Sequence, residues 1–173
     1  MTDTNRRLFV KQSFGLCSGF VLGPSFDLQP DPVLPLDTKV VKEFVTVAHS
    51  NFDKVKEILT DHPHVLNSAW DWGDGDFETA AGAAGHVGNK DIANHLIEQG
   101  ARYDIFVLTM FGKTAIVKAL LEEYPKLIES IGPHGFTLLH HAKKGGAPAQ
   151  ELYDYLESKG LKDMHRKVFK RNN

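Results

Sequence analysis

From about residue 38 onward, apolar residues recur at helical spacing. In VKEILTDHPHVLNS, Val55 to Ser68, they fall at Val55, Ile58 and Leu59, and a proline follows at Pro63. In VKALLEEYPKLIES, Val117 to Ser130, they fall at Val117, Leu120 and Leu121, and Pro125 follows. Positions i, i+3 and i+4 line one face of an α-helix, and a proline after the run ends it. The two stretches match at V, K, L, P and S with an offset of 62 residues. That offset is two units of about 31 residues, the scale of a solenoid built from helix pairs.

Two further segments fit the same slot, DIANHLIEQGA (Asp91 to Ala101) and QELYDYLESKG (Gln150 to Gly160), and each runs into a glycine. A preceding small-residue segment, TAAGAAGHVGN from Thr79 to Asn89, predicts a helix that lets its neighbours approach closely. Asn51, Gly88, Gly112 and Gly146 stand where the chain must turn into the next helix. The expectation is an all-α chain of stacked antiparallel helix pairs joined by short hairpin loops.

The unit resembles the ankyrin repeat, whose pattern is G-x-T-P-L-H-x-A followed by two short helices and G-A. GFTLLHHA, Gly135 to Ala142, keeps most of it, with Leu138 in place of proline. FETAAGAA keeps Thr79 and Ala84, and LIEQGARYD carries the ending at Gly100 and Ala101. The resemblance implies an ankyrin-repeat domain over 38–163, in four units. In the third unit the chain passes from Asp104 straight into IFVLTMFG, so its hairpin should be missing or very short. The resemblance also makes Thr79 and Thr137 helix caps. It makes His140 a structural residue, three positions after Thr137, where a capping-box partner can reach back. His141 lies about 100° around the helix and should matter less if it faces solvent.

The N-terminus has a different texture. NRRLFVKQSFGLCSGFVLG, residues 5 to 23, places two arginines before a short apolar run without acids. Arg6, Arg7, Phe9 and Lys11 resemble the twin-arginine export motif, with Val10 where the motif has leucine. The resemblance implies a signal segment over 1–25 and delivery to the periplasm or another extracytoplasmic space. If it misleads, the chain is cytoplasmic. Residues 26–37 then read as a proline-rich linker, within a stretch from Gly23 to Asp37 that holds four prolines. Residues 164–173 form a basic tail, read as a solvated helix end.

Charge and composition narrow the function classes. The 173-residue chain carries a formal net charge of -2, so no global field recruits nucleic acid. One cysteine, Cys17, excludes an internal disulfide and a cysteine-rich zinc site. No run of eighteen apolar residues predicts a membrane span. FGKT at Phe111 to Thr114 lacks the upstream glycine of a phosphate loop, since position 107 is Val107. His95 and Glu98, at i and i+3, could be half a zinc site, but no partner pair is evident. The spacing of Asp71, Asp74 and Asp76 does not fit a calcium loop.

What remains is recognition. WDWGDGDFE, Trp70 to Glu78, interleaves aromatics and acids on what should be a projecting turn. Trp70, Trp72, Asp74, Asp76, Phe77 and His134 are therefore the candidate contact residues for a protein partner. The expected function is a non-enzymatic protein–protein interaction module, a monomer without cofactor or metal. The alternative is a metal-binding protein or hydrolytic enzyme that uses the histidines and the Asp-rich hairpin.

Overall fold

The computed structural model describes residues 34–167. The signal residues Arg6, Arg7, Phe9 and Lys11, linker residues 26–33 and tail residues 168–173 lie outside them. From Pro35 onward the described residues belong to one compact unit.

That unit is predominantly helical. Its eight described α-helices are α1 (Thr38–Val47), α2 (Phe52–Asp61), α3 (Ala80–Val87), α4 (Lys90–Glu98), α5 (Ile105–Met110), α6 (Thr114–Glu123), α7 (Leu138–Gly145) and α8 (Gln150–Ser158). Most begin at a side chain that can accept a free backbone N–H. Asp37, Asn51, Thr79, Asn89, Asp104 and Thr137 each accept from a first-turn amide. Each such cap is worth about 1 kcal/mol. The two repeat-related helices, α2 and α6, both run into proline-led 3-10 turns, Pro63–Asn67 and Pro125–Glu129. The chain enters α5 directly from its cap Asp104, as the missing glycine turn predicts.

Helices pair in order along the chain: α1 with α2, α3 with α4, α5 with α6 and α7 with α8. The first members also pack in a row, α1 on α3, α3 on α5 and α5 on α7. α3 sits inside this row, buried from Ala80 to His86. Only small side chains permit that. A Cβ on Gly85 would stand 3.1 Å from Val107 Cγ2, tighter than ordinary packing. The apolar core falls into two clusters. The first gathers Phe44, Val45, Val55, Ile92, Leu96 and Met110, and the second gathers Val117, Leu138, Leu139, Leu152 and Leu156.

A single short hairpin precedes α3. Strands β1 (Ala69–Asp71) and β2 (Phe77–Thr79) pair antiparallel, with Trp70 opposite Glu78 and Asp71 opposite Phe77. Its loop turns through Gly73, Asp74 and Gly75, all at positive φ, and Asp71 Oδ1 accepts the Gly73 N–H at 2.8 Å. Successive residues of a strand point to opposite faces. β2 therefore turns Phe77 outward and Glu78 into the protein.

The C-terminal segment departs from the expected solvated helix end. Residues 164–167 are not helical. Leu161 is buried in the second cluster, the Met164 carbonyl accepts the Thr137 N–H, and the Arg166 N–H reaches the Gly135 carbonyl. Backbone pairing with the turn before α7 holds this stretch extended.

Candidate metal centre

Behind the hairpin, side chains from four separate segments converge. His49 follows the end of α1, Glu78 is the inward residue of β2, and His86 lies in the last turn of α3. His134 sits in the turn Pro133–Gly135 that leads to α7. One ligand-capable atom from each of the four lies within 4.8 Å of every other.

Each imidazole brings one nitrogen close to the Glu78 carboxylate. His86 Nδ1 is 2.9 Å from Glu78 Oε1, His134 Nε2 is 3.5 Å from Oε2, and His49 Nε2 is 3.6 Å from Oε2. Four donors about 2.0–2.1 Å from a tetrahedral zinc ion stand roughly 3.3 Å apart.

Proton placement supports the same conclusion. His49 Nδ1 faces the carbonyls of Thr46 at 2.9 Å and Val45 at 3.2 Å. Carbonyls only accept, so Nδ1 carries the hydrogen, and in the neutral ring the Nε2 lone pair points at Glu78. His134 Nδ1 faces Asp76 Oδ2 at 2.8 Å. It too donates outward, and in the neutral ring Nε2 is then the inward lone pair. A ligating imidazole held from behind by a carboxylate or carbonyl is the usual outer support of a metal site. Glu78 is held likewise: the Trp72 indole N–H donates to Oε2 at 2.8 Å.

Glu78 is fully buried and His86 nearly so. Although Glu78 Oε1 and His86 Nδ1 approach to 2.9 Å, they do not meet with hydrogen-bond geometry, and neither bonds any other described group. Buried polar atoms in that condition are rare and call for a cause. The short distance is proximity without a donor aimed at an acceptor, as two ligands of a common cation display.

The turn that carries His134 is bent for its task. His134 adopts φ 58°, ψ 14°, a left-handed conformation that costs a non-glycine residue about 1 kcal/mol. Asp76 holds it there, taking the His134 backbone N–H on Oδ1 and the ring N–H on Oδ2, both at 2.8 Å.

The sequence-predicted contact residues are thus redistributed. Trp72 stays 37% exposed while its indole N–H serves Glu78, and Asp76 is half-buried with both carboxylate oxygens on His134. Trp70 packs against the first cluster, with the Lys42 ammonium 5.4 Å from its ring centre. Phe77 is 63% exposed and Asp74 lies at the loop tip, so these two keep outward positions. His95 is not in the cluster and instead meets Phe52 edge-on.

Sequence reasoning missed His49, Glu78 and His86. The one local signal was the strand period, which opposes Glu78 to Phe77. The caps read from sequence sit at their helix starts: Thr79 Oγ1 accepts from Gly82 at 3.0 Å, and Thr137 Oγ1 accepts from His140 at 3.4 Å.

The reach-back expected of the His140 side chain is not made. Its target, the Thr137 N–H, is already bonded to Met164. The imidazole instead donates from Nε2 to the His86 carbonyl at 2.8 Å and stacks on Phe136 with ring centres 4.0 Å apart. His141 does not face solvent. It is buried against Phe106, donates from Nδ1 to the Thr137 carbonyl at 2.8 Å, and burial pushes its pKa down to about 4.

No protein-family model matches the chain, and neither does any curated protein.

Proposed function

We propose that the chain binds a divalent transition-metal ion, zinc foremost, through His49, Glu78, His86 and His134, on an ankyrin-like stack of helix pairs. One observation carries the reading. Two buried polar atoms with no hydrogen bond converge on the same point as two imidazole lone pairs whose outer nitrogens are tied back. Three imidazoles and a carboxylate, with no thiolate, suit zinc and its neighbours in the affinity series rather than soft or purely oxygen-seeking ions. Four protein donors fill a four-coordinate shell, the arrangement of a structural zinc rather than a catalytic one. The role is therefore binding, with no reaction assigned. The matched helix-and-proline segments, the threonine-capped inner helices and the row from α1 to α7 favour the ankyrin-like reading of the stack.

Calorimetric titration with zinc tests the site, with one equivalent bound expected. Glu78→Gln should weaken binding at least about 100-fold, since even outer-shell losses cost 10–100-fold. Stoichiometric binding unchanged in Glu78→Gln would remove the site.

A second reading, recognition of a protein partner by the hairpin, is favoured by the exposed ring of Phe77. Phe77→Ala should weaken capture of such a partner while leaving zinc affinity intact. Export is part of the same proposal. Arg6 and Arg7 replaced together by lysine should retain the protein in the cytoplasm, read by fractionation.

A further inference from the structure

The four donors do not come from one part of the fold. His49, Glu78 and His86 hang on elements around the first apolar cluster, which contains Phe44, Val45, Ala80 and Ala83. His134 belongs to the turn before α7, whose Leu138, Leu139 and Ala142 lie in the second cluster. His134 is 48 positions beyond His86 in the chain, so no local segment ties them. The Asp76–His134 hydrogen bonds and the His140–His86 hydrogen bond already cross the same boundary.

Resting on the metal reading above, we propose that the ion is a staple between the two clusters. Its occupancy decides whether the first and second parts of the stack open together or separately. In stacked repeats each unit leans on its neighbours, and here α3 also touches α7 and the turn before it, so the ion would reinforce an existing contact between the two parts. A metal that takes ligands from two parts binds only when both are folded, and its binding free energy then opposes the opening of either. The strained left-handed turn at His134 is the arm of the staple: Asp76 holds it so that Nε2 faces the three donors of the other part.

Amide hydrogen exchange of the full chain, with saturating zinc chloride and with chelator, tests this. Zinc should slow exchange at least tenfold both in α1 and α3 and in α7 around Leu138 to Ala142. Two variants separate the staple from simple binding, because each keeps three donors. His134→Gln, with zinc retention checked by calorimetry, should lose the zinc-dependent slowing in α7 and keep it in α1 and α3. His49→Gln should keep the slowing in α7, because Glu78, His86 and His134 still span the boundary. Equal slowing of α7 in both zinc-bound variants overturns the staple while leaving the metal site standing. Absence of zinc binding by the wild-type chain overturns both. If His134→Gln does not fold, the wild-type chain decides: zinc that binds without slowing exchange in α7 refutes the staple.

Discussion

Two groups of histidines meet at Phe136, which contacts His86 and His134 of one and His140 and His165 of the other. In one, His49, His86 and His134 each bring a ring nitrogen to a buried carboxylate. In the other, His140, His141 and His165 gather around Phe136 and the start of α7 and form no ligand group among the described residues. Their ring nitrogens are partly spent on the scaffold: His140 on the His86 carbonyl, His141 on the Thr137 carbonyl. The residue type is the same and the local helical spacing is tidier in the second group. A shared, buried anion makes a histidine cluster a metal candidate, and its absence leaves ring packing and backbone hydrogen bonds.

The largest expected effect separates the groups directly. With free zinc at 1,000 times the dissociation constant, a site of this kind adds about 4 kcal/mol to stability. Thermal melts of the wild-type chain should rise accordingly and fall back on addition of chelator. Those of Glu78→Gln should not respond, while those of His141→Gln should respond as the wild type does. A zinc response lost in His141→Gln would merge the two groups into one.

Acid should reveal the second group. The folded pKa of His141 lies at about 4 against an ordinary 6.5, because burial penalises the charged ring. Its contribution is complete above pH 6.5 and is lost as pH falls toward 4, since the unfolded chain takes up the proton first. The full loss approaches about 3 kcal/mol. Denaturant melts in chelator between pH 7 and 4 should show this limb, and His141→Gln should flatten it.

Smaller effects probe the supports. Trp72→Phe keeps a ring and removes the N–H that fixes Glu78, so zinc affinity should fall about 10–100-fold, the usual cost of an outer-shell partner. His140→Ala removes one hydrogen bond and a stacked ring. It should cost about 1–2 kcal/mol of stability, read in the same melts. If His140→Ala abolishes zinc binding, His140 belongs to the first group after all.

The helices were legible because their signals are local. Val55, Ile58 and Leu59 mark a face within two turns, Thr79 and Thr137 mark starts, and Gly88 marks a stop at φ 82°. The site was not legible for the converse reason. Its residues stand at 49, 78, 86 and 134, and only the packing of α1, β2, α3 and the turn before α7 brings them together. His95 and Glu98 looked like half a site because they are close in sequence, yet they lie apart from the ligand group. The hairpin illustrates the mixture. Its existence was readable from glycines and aromatics, but the bond of Trp72 to Glu78 and the bonds of Asp76 to a turn 58 residues away were not. Extended pairing of the C-terminal segment was hidden similarly, since basic residues at 165–167 resemble any solvated end until the carbonyls they bond are known.

The alternation along β2 has a consequence for how this protein can vary. Phe77, Glu78 and Thr79 each do a different job: facing direction separates the outward Phe77 from the buried Glu78, and position at the helix start makes Thr79 a cap. A strand that slips by one residue exchanges its two faces completely. A one-residue insertion or deletion within β2 would therefore swap the roles instead of grading them, driving an aromatic or a hydroxyl into the pocket of imidazoles and turning the carboxylate to water. Length changes confined to the loop tip around Asp74, beyond the last ladder pair, leave that parity untouched. Among homologous chains, variation in hairpin length should thus accumulate at the tip, while the count of residues from the ladder to Thr79 stays fixed wherever the four donors persist.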